Sequence, residues 1–590
     1  MLNMGCGKSN SKLNSEPESI IQISCQADSS QAVNAPTTAK LDYIYGCSTV
    51  HGSVHYLANE DLVAYPCASL AVLMTLSSNT QRYLGGGEVR IATGHLGKVT
   101  ALVLNSDRSL VATGATGPQP AICIWKLPDG TVALTIRLAA ETGGVDQLAF
   151  SCDSILLAAI DQVGDVLVYE LKGGKQVFTA AGKPVALSWN PTDLSFCTAG
   201  KSQISFWTAM GTSFSRSQVA ETAALLVVQW TAMGCLAGGE DGKVYVWTEG
   251  LMSQSHQVLA AGCSVQALVH RESTVLVGGT DKCLHVLDAS FQEIRVIETP
   301  GVPLSLDMCP SGILCGTDEG ILLEFGRNGR VVFVDAHVSG RRLAAALAGN
   351  SALVSVAGDN KVKSWNLAYR KCVVSGLLEV GMKPGTEATS VSVGPQGHVA
   401  VGHLDGHLTI RHSANQLNGV LFGKRDSSEA LTLLKYSPLG SYLAAISAAG
   451  TIFLHNTQSA YALVRTLTSH SEILAADWNE SGTVLRTQDK VGGIKCWEAN
   501  TSEDRPSTLP DEWSANTCCR LSLSFPCVAA RKGKVLAQGT ESGVLELSTS
   551  ESAPSAYQIH TGAIRELYWS GGLLVSVGED GCILQWQVSG

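Results

Sequence analysis

The chain has 590 residues, of which 45% are apolar and 16% charged, and its formal net charge is −10. This length exceeds what one hydrophobic core supports, so it predicts several domains or a repeat array. The acidic balance argues against nucleic acid as a partner, because nucleic-acid binding depends on neutralising phosphates. The apolar runs are four to eight residues long. A membrane-spanning helix needs ~20 apolar residues, so no transmembrane segment is predicted.

The 18 cysteines occur at irregular intervals, and no C-x-x-C pair is present. Structural zinc sites use ligands paired at short spacings, and disulfide frameworks belong to small secreted domains. No leading charged-then-apolar segment resembles a secretory signal. We therefore expect reduced, mostly buried intracellular thiols and no bound metal.

Residues 1–40 are rich in Ser, Gln and Asn, which predicts a disordered N-terminal tail. If translation starts at Met4, the product begins Met-Gly-Cys-Gly-Lys-Ser. Gly5 then fits the pattern for myristoylation, and Cys6 is a candidate for palmitoylation. If Met1 is the true start, Gly5 is internal and cannot be acylated. The sequence leaves both alternatives open.

Residues 41–85 are strand-like, and beyond Gly94 a short hairpin recurs along the chain. Copies include "GGEDGKVYVW" at 238–247, "AGDNKVKSW" at 357–365 and "VGEDGCILQW" at 577–586. In each copy a turn rich in Gly and Asp is followed by alternating apolar residues. Gly, Asn and Asp accept the positive φ that a tight hairpin turn requires, and the alternation places one face of the strand on a neighbouring sheet.

There are twelve such hairpins, spaced 38 to 50 residues apart. Their second strands end near Trp125, Tyr169, Trp207, Trp247, Leu287, Phe325, Trp365, Arg411, His455, Trp497, Leu547 and Trp586. A period of about 40–45 residues with short alternating strands is typical of WD40-type β-propeller blades. Helical repeats of similar period need amphipathic stretches of ten or more residues, and the sequence contains none.

An acidic residue stands six positions before the end of the second strand in seven copies. These residues are Asp241, Asp281, Asp359, Asp405, Asp580, Glu319 and Glu541.

Twelve hairpins are too many for one ring, since propellers typically have about four to eight blades. We therefore predict an all-β fold of two closely joined WD40-type propellers with about 12–13 blades in total. A thirteenth blade would come from the residues before Gly94. We place the division near Arg330. The predicted domains are the tail at 1–40, the first propeller with its leading segment at 41–330, and the second propeller at 331–590.

In the WD40 family a loop His, a strand Ser, a turn Asp and a strand Trp form a hydrogen-bonded tetrad within a blade. Two copies match it residue by residue, namely His337, Ser355, Asp359 and Trp365, and His560, Ser576, Asp580 and Trp586. The resemblance implies a buried network that rigidifies the blade, which we favour over a catalytic His–Asp pair. His95 and His470 preserve the loop His without the full tetrad.

The segment 41–85 resembles the HELP motif that opens proteins of the echinoderm microtubule-associated protein (EMAP) family. The matching stretches are "YIYG", "VHYL", "EDLVAYPCASLAVL" and "QRYLGG", and later "ATGATGPQPAICIW", "CTAGKSQISFW" and "DEWSANTCCRLSLSFPCV". The resemblance covers about 41–590. One departure is that the "YGYRG" form of the motif is "YIYGCSTV" in this chain, without its Arg.

The resemblance implies a non-catalytic scaffold of the cytoplasm and cytoskeleton whose propeller faces bind tubulin, microtubules or an axonemal complex. Members of the family often carry an N-terminal coiled coil and a basic region, whereas residues 1–40 contain no heptads and few basic groups. Shorter members of this kind are often ciliary or axonemal, so the cilium is an expected location. Without a coiled coil we expect a monomer.

Two other classes of function remain as alternatives. One is a generic WD40 scaffold of another ciliary or signalling complex, in one version tethered to a membrane by N-terminal acylation. The other is a propeller enzyme, but the sequence contains no H-E-x-x-H and no G-x-S-x-G. The two His of "GHLDGHL" at 402–408 are separated by a strand and a turn, so we expect no metal pair, no cofactor and no catalysis.

Three basic clusters occur, "RR" at 341–342, "GKR" at 423–425 and "RKGK" at 531–534. Such runs usually lie in solvated loops. Because both this chain and the tails of tubulin are acidic, we expect any tubulin contact to depend on shape or on a local patch.

Overall fold

A computed structural model describes most of the chain from Thr38 onward. The described residues are 38–48, 50–84, 94–201, 203–210, 213–221, 223–326, 329–338, 343–349, 351–378, 386–469, 471–490, 492–500, 504–505, 513, 518, 526–549 and 552–589. Gly5, Cys6 and His470 lie outside them, as does the basic pair at 341–342.

The described residues are almost entirely β-strand. They contain no α-helix and only two short 3-10 turns, Ala140–Thr142 and Thr457–Ser459. No helix among them would be able to span a lipid bilayer. The predicted all-β fold is confirmed.

The strands of the described residues form thirteen four-stranded antiparallel sheets. Twelve sheets each contain four strands that follow one another in the chain, and the thirteenth combines β1 (Thr38–Tyr45) with the last three strands. This number agrees with the predicted twelve to thirteen blades. Residues 55–83, which lack an Asp-Gly hairpin, form a sheet of their own.

Sheets 1 to 7 occupy the first half of the chain. Their strands are β2 (His55–Tyr56), β3 (Leu62–Cys67), β4 (Leu70–Thr75) and β5 (Thr80–Tyr83) in sheet 1; β6 (Val99–Leu104), β7 (Leu110–Ala115), β8 (Ala121–Lys126) and β9 (Thr131–Arg137) in sheet 2; β10 (Val145–Phe150), β11 (Leu156–Asp161), β12 (Asp165–Glu170) and β13 (Lys175–Ala181) in sheet 3; β14 (Ala186–Trp189), β15 (Phe196–Ala199), β16 (Gln203–Met210) and β17 (Ser213–Glu221) in sheet 4; β18 (Leu225–Thr231), β19 (Gly234–Gly239), β20 (Lys243–Thr248) and β21 (Leu251–Gln257) in sheet 5; β22 (Val265–Arg271), β23 (Thr274–Gly279), β24 (Cys283–Asp288) and β25 (Glu293–Glu298) in sheet 6; and β26 (Pro303–Cys309), β27 (Gly312–Thr317), β28 (Ile321–Gly326) and β29 (Gly329–Asp335) in sheet 7.

Sheets 8 to 13 follow. Their strands are β30 (Leu343–Ala348), β31 (Ala352–Ala357), β32 (Lys361–Asn366) and β33 (Lys371–Leu377) in sheet 8; β34 (Ala388–Val393), β35 (Val399–His403), β36 (His407–Ser413) and β37 (Gln416–Arg425) in sheet 9; β38 (Leu431–Tyr436), β39 (Tyr442–Ser447), β40 (Thr451–Asn456) and β41 (Ala462–Thr468) in sheet 10; β42 (Ile473–Trp478), β43 (Val484–Asp489), β44 (Ile494–Glu498) and β45 (Asp504–Arg505) in sheet 11; β46 (Pro526–Lys532), β47 (Val535–Thr540), β48 (Val544–Thr549) and β49 (Ser552–Gln558) in sheet 12; and β50 (Ile564–Ser570), β51 (Leu573–Gly578), β52 (Ile583–Ser589) and β1 in sheet 13.

The sheets pack side by side in two series. From sheet 1 to sheet 7 each sheet contacts the next, and β2 of sheet 1 contacts β26 of sheet 7, which closes the first ring. Backbone N–H groups support this closure, because Val54 donates to Ser305 Oγ at 2.8 Å and Tyr56 donates to Asp307 Oδ2 at 2.8 Å. In the second ring, contacts run from sheet 8 to sheet 11, and from sheet 12 through sheet 13 to sheet 8.

The outer strand of sheet 13 comes from the opposite end of the chain. Strand β1 pairs antiparallel with β52, with Leu41 opposite Trp586 and Tyr45 opposite Ile583. The segment that precedes the first ring in sequence therefore supplies a strand to the second. Arg330, near which the sequence places the division, lies within β29.

One hydrophobic cluster extends across both rings. It includes Val72 and Leu322 of the first ring together with Leu545, Leu574 and Trp586 of the second. Because burying apolar surface of this kind favours close association, the cluster explains why the two rings are closely joined.

Two ion pairs also connect the last sheet of the first ring to sheet 8. Lys361 Nζ lies 2.6 Å from Glu319 Oε2, and Lys363 Nζ lies 2.5 Å from Asp335 Oδ1. The Lys363 side chain is fully buried, and its ammonium also donates to the backbone carbonyls of Asp335 and Ala336. A buried ammonium needs several acceptors of this kind to replace its lost hydration.

Candidate functional site

The four side chains that the sequence selects in sheet 8 form one hydrogen-bonded chain. The indole Nε1 of Trp365 donates to Ser355 Oγ at 2.7 Å. Ser355 Oγ lies 2.8 Å from His337 Nε2, and His337 Nδ1 lies 2.9 Å from Asp359 Oδ2. The imidazole comes from the connection between sheets 7 and 8, so the chain ties that connection to the strands and to the turn of the sheet.

The donors and acceptors in this chain fix where the protons lie. The indole N–H only donates, so Ser355 Oγ accepts from Trp365 and its own proton is free for His337 Nε2. His337 is then neutral, with its remaining proton on Nδ1, where it is donated to the carboxylate of Asp359. Burial lowers the pKa of His337, in agreement with the neutral form.

The carboxylate of Asp359, the last member of this hydrogen-bonded tetrad, is ionised. Burial by itself would raise the pKa of Asp359, but the neighbouring His337, a hydrogen bond from the N–H of Lys361 and the charge of Lys363 outweigh burial and hold this pKa at about 2. The N–H groups of Lys361 and Val338 donate to the two carboxylate oxygens at 3.0 and 3.3 Å. Asp359 thus joins three donors from two different segments.

Sheet 13 repeats the arrangement. Trp586 Nε1 donates to Ser576 Oγ at 3.0 Å, which lies 2.9 Å from His560 Nε2. His560 Nδ1 lies 3.0 Å from Asp580 Oδ1, and the N–H groups of Thr561 and Cys582 donate to the same carboxylate. The surrounding donors, of which His560 is the strongest, lower the pKa of Asp580 against the opposing effect of burial.

The order Ser, His, Asp is also that of a hydrolytic triad, in which the Ser hydroxyl must reach a substrate. In sheet 8, Ser355 is fully buried and its oxygen is occupied by the indole of Trp365. The His337 and Asp359 side chains are 1% and 3% exposed. A substrate has no access to these groups, and the arrangement supports the blade.

The other tryptophan-bearing sheets keep only part of this hydrogen-bonded tetrad. A hydroxyl accepts from the indole Nε1 in three of them, in the pairs Trp125 with Thr113 at 2.7 Å, Trp207 with Thr198 at 3.0 Å, and Trp497 with Thr487 at 2.8 Å. In each case the hydroxyl stands two residues beyond the residue opposite the Trp. Because strand side chains alternate between the two faces, that position lies on the same face as the indole.

Sheet 5 lacks the hydroxyl. The residue in that position is Ala237, and the buried Nε1 of Trp247 has no hydrogen-bond partner among the described residues. The turn acid of this sheet, Asp241, accepts instead from the hydroxyl of Tyr245 at 2.7 Å. This difference is visible in the sequence, because the other tryptophan-bearing sheets have Ser or Thr at the position of Ala237.

Two further histidines and one basic cluster that the sequence analysis singled out have local partners. His403 Nε2 lies 3.1 Å from Thr409 Oγ1, whereas His407 Nδ1 lies 2.8 Å from Asp405 Oδ2. The two histidines of "GHLDGHL" therefore engage different groups. Arg425 of the "GKR" cluster donates to backbone carbonyls of its own loop. No group of His, Cys, Asp and Glu side chains among the described residues is arranged to hold a metal ion.

The described cysteines are free thiols, most of them buried. Two pairs lie close together, with Sγ atoms 3.5 Å apart for Cys67 and Cys582 and 3.3 Å apart for Cys197 and Cys235. Burial raises the pKa of the Cys47 thiol, which lies in the same cluster as Cys67.

The sequence is similar to those of several known proteins. The chain is 24% identical to the ciliary WD repeat-containing protein ctxp80 of Euplotoides octocarinatus, over 93% of this chain and 86% of that protein. It is 24% identical to echinoderm microtubule-associated protein-like 1 of Homo sapiens, over 94% and 74% of the two chains. It is 23% identical to the 77 kDa echinoderm microtubule-associated protein of Lytechinus variegatus, over 94% and 90%.

The chain is similar to EMAP-like proteins along almost its whole length. The predicted resemblance to EMAP-like WD40 proteins is thereby confirmed, and the HELP motif at 41–85 stays a prediction. No protein-family model matches the chain. These EMAP-like and WD-repeat relatives, together with the repeated four-stranded sheets, support a WD40 scaffold.

Proposed function

We propose that this chain is a non-catalytic scaffold that binds tubulin or microtubules through the faces of its two propellers, in the cytoskeleton and in the cilium. The observation that carries the proposal is the near full-length similarity to two proteins named as microtubule-associated and one named as ciliary. The similarity covers 93–94% of the chain, so the proposal concerns the whole array of sheets.

The architecture suits such a role. Two rings joined by one hydrophobic cluster and by the ion pairs at Glu319 and Asp335 form a stiff body with loops on its faces. The chain is acidic, so binding to an acidic lattice would depend on local complementarity more than on net charge. We also propose that the two domains divide just after Asp335 and that the protein acts as a monomer.

Co-sedimentation of the purified full chain with stabilised microtubules tests the proposal. We expect the pelleted fraction to rise with microtubule concentration and to saturate, while the chain alone stays in the supernatant. Size-exclusion chromatography with unpolymerised tubulin separates binding to the dimer from binding to the lattice.

The proposal would be contradicted if the chain bound neither unpolymerised tubulin nor microtubules. Imaging of the protein tagged at its C-terminus adds a second criterion. Ciliary localisation without tubulin binding would favour the alternative of a scaffold for another ciliary complex.

A further inference from the structure

A cavity of 330 Å³ lies in sheet 4 where it meets sheet 3. Its wall is formed by the connection between β13 and β14, the turn between β15 and β16, and the side chains of Thr198, Trp207 and Arg216. This volume falls at the lower end of the range for small-ligand pockets, about 300–1,000 Å³.

The cavity occupies the place that imidazole and carboxylate fill in sheet 8. Thr198 stands two residues beyond the partner of Trp207, as Ser355 stands beyond the partner of Trp365. In sheet 8 the preceding connection and the turn supply His337 and the acid. In sheet 4 the corresponding connection and turn line an open space. The hydrogen-bonded tetrad is thus replaced by a cavity with the same indole and hydroxyl at its base.

The charge of the turn is reversed in this sheet. Lys201 stands six residues before Trp207, the spacing at which Asp359 precedes its Trp. The turn is one residue shorter, with four residues between the paired Ala199 and Ile204 instead of five. A cation therefore stands in the turn that elsewhere carries an acid.

Two more cations line the cavity, and its described lining contains no acid. Lys183 belongs to the connection between the sheets, and Arg216 comes from the outer strand β17. The guanidinium carbon of Arg216 lies 4.7 Å from the centre of the Trp207 ring. Lys183, Lys201 and Arg216 are exposed, and none forms an ion pair with a described residue. On a chain of net charge −10, three such cations around one opening favour an anion.

The base of the cavity offers a hydroxyl proton. Thr198 is 4% exposed, and its Oγ1 accepts from Trp207 Nε1 at 3.0 Å. That oxygen donates to no group within the described residues, whereas Ser355 donates to His337 from the same position. A buried hydroxyl without an acceptor is costly, and a ligand oxygen in the cavity would take its proton. The indole below is held rigid by Phe196 and Phe178, with ring centres 5.7 and 5.4 Å away.

We propose that this cavity binds a side-chain carboxylate from an acidic peptide segment of a partner protein. The carboxylate replaces the acid that the tetrad supplies in sheet 8, accepts from Thr198 and lies among the three cations. Neighbouring acidic residues of the segment would meet the exposed ammonium groups at the rim. This inference does not depend on tubulin being the partner.

Fluorescence anisotropy of a labelled hexaglutamate peptide with the purified full chain tests the proposal at low ionic strength. We expect saturable binding that weakens as salt is added, because exposed charges are screened. The variant Lys201→Asp should fold, since other sheets carry Asp at this spacing, and should bind about tenfold more weakly or worse. Arg216→Gln, from another strand, is the second variant and should also weaken binding.

The matched control is Lys172→Asp, a single charge reversal at an exposed residue in the turn between β12 and β13. Equal loss in this control, or full binding by Lys201→Asp and Arg216→Gln, would overturn the proposal, as would binding of hexaglutamine with the same affinity. Displacement of the peptide by an equimolar amount of inorganic phosphate would also overturn it, because the site would then be one for phosphate.

Discussion

Sheets 8 and 5 have the same strand order and the same buried Trp, but they differ in how that Trp is satisfied. In sheet 8 the Nε1 of Trp365 begins a chain through Ser355 to His337 and Asp359. In sheet 5 the Nε1 of Trp247 has no partner among the described residues. The four-stranded form is therefore set by apolar alternation and turn chemistry, and the polar chain is an addition that fixes the connection between sheets.

Sheet 2 lies between these two cases. Thr113 Oγ1 accepts from Trp125 and lies 2.7 Å from His95 Nε2, but His95 Nδ1 has no partner within the described residues. Its turn, "TGATGPQP", carries no acid. Sheet 2 thus lacks the acid, whereas sheet 5 keeps the acid, Asp241, and lacks the hydroxyl.

The largest expected effect comes from removing Asp359, the acid of the complete hydrogen-bonded tetrad in sheet 8. Asp359→Ala leaves the N–H groups of His337, Lys361 and Val338 without their acceptor in a buried site. We expect a loss of about 3–5 kcal/mol in the free energy of unfolding. Denaturant unfolding followed by tryptophan fluorescence measures the loss, and hydrogen exchange across residues 352–366 locates it.

Asp241→Ala in sheet 5 is the matched control. This carboxylate accepts from Tyr245 and Lys243, and its side chain is 34% exposed. Removing it leaves groups that water can reach, so we expect a loss of about 1 kcal/mol. Equal losses for the two substitutions would mean that the buried hydrogen-bonded tetrad adds no more stability than an ordinary turn acid does.

A smaller effect is expected from pH through His95. Burial lowers the pKa of His95 to about 4, compared with 6.5 for a free histidine. Between pH 6.5 and 4 the unfolded state takes up a proton that the folded state excludes, so stability falls as pH falls through this window. The shift corresponds to about 3 kcal/mol when integrated across the window.

His95→Gln provides the comparison, because glutamine does not titrate in this range. Urea midpoints at pH 7 and pH 5 should differ less for the variant than for the native chain. Other buried histidines, including His403, whose pKa burial also lowers to about 4, contribute to both slopes. If the midpoints of the two proteins change equally with pH, the pKa of His95 is not lowered in the folded state.

Much of this architecture follows from local sequence. The Gly-rich turns and alternating strands predict the sheets, and the spacing of Ser355 and Ser576 before their tryptophans is visible in the chain. The histidines are found only through the family pattern, because the connections that carry them vary in length. A residue far away in sequence becomes a neighbour only when sheets close into a ring.

Two features of the structure were not predicted. The pairing of β1 with β52 joins residues about 540 positions apart, and no local pattern specifies such a partner. The cavity beside Trp207 lies where sheet 8 has the imidazole of His337 and the carboxylate of Asp359, because the connection and the turn of sheet 4 carry no such side chains. A sequence signal existed, namely Lys201 at the spacing of an acid, but its meaning required the register of β15 and β16.

The smallest expected effect is a gain, obtained by supplying sheet 5 with the hydroxyl it lacks. Ala237 is fully buried and stands where Ser355 stands in sheet 8. In Ala237→Ser the new hydroxyl oxygen would accept from Trp247 Nε1. Its proton could be donated to a backbone carbonyl, as Thr113 Oγ1 in sheet 2 donates to the carbonyl of Cys123 at 3.4 Å. We expect an increase of about 1 kcal/mol in the free energy of unfolding.

The control for this gain is Ala159→Ser in sheet 3, where the strand ends in Tyr169 and offers no indole N–H. Both alanines are fully buried, so the two substitutions add the same volume to similar strands. In sheet 3 the hydroxyl is buried without a donor, and we expect a loss of about 1–2 kcal/mol. If both substitutions destabilise equally, volume outweighs hydrogen bonding at this position, and sheet 5 then has alanine because its packing leaves no room for the oxygen.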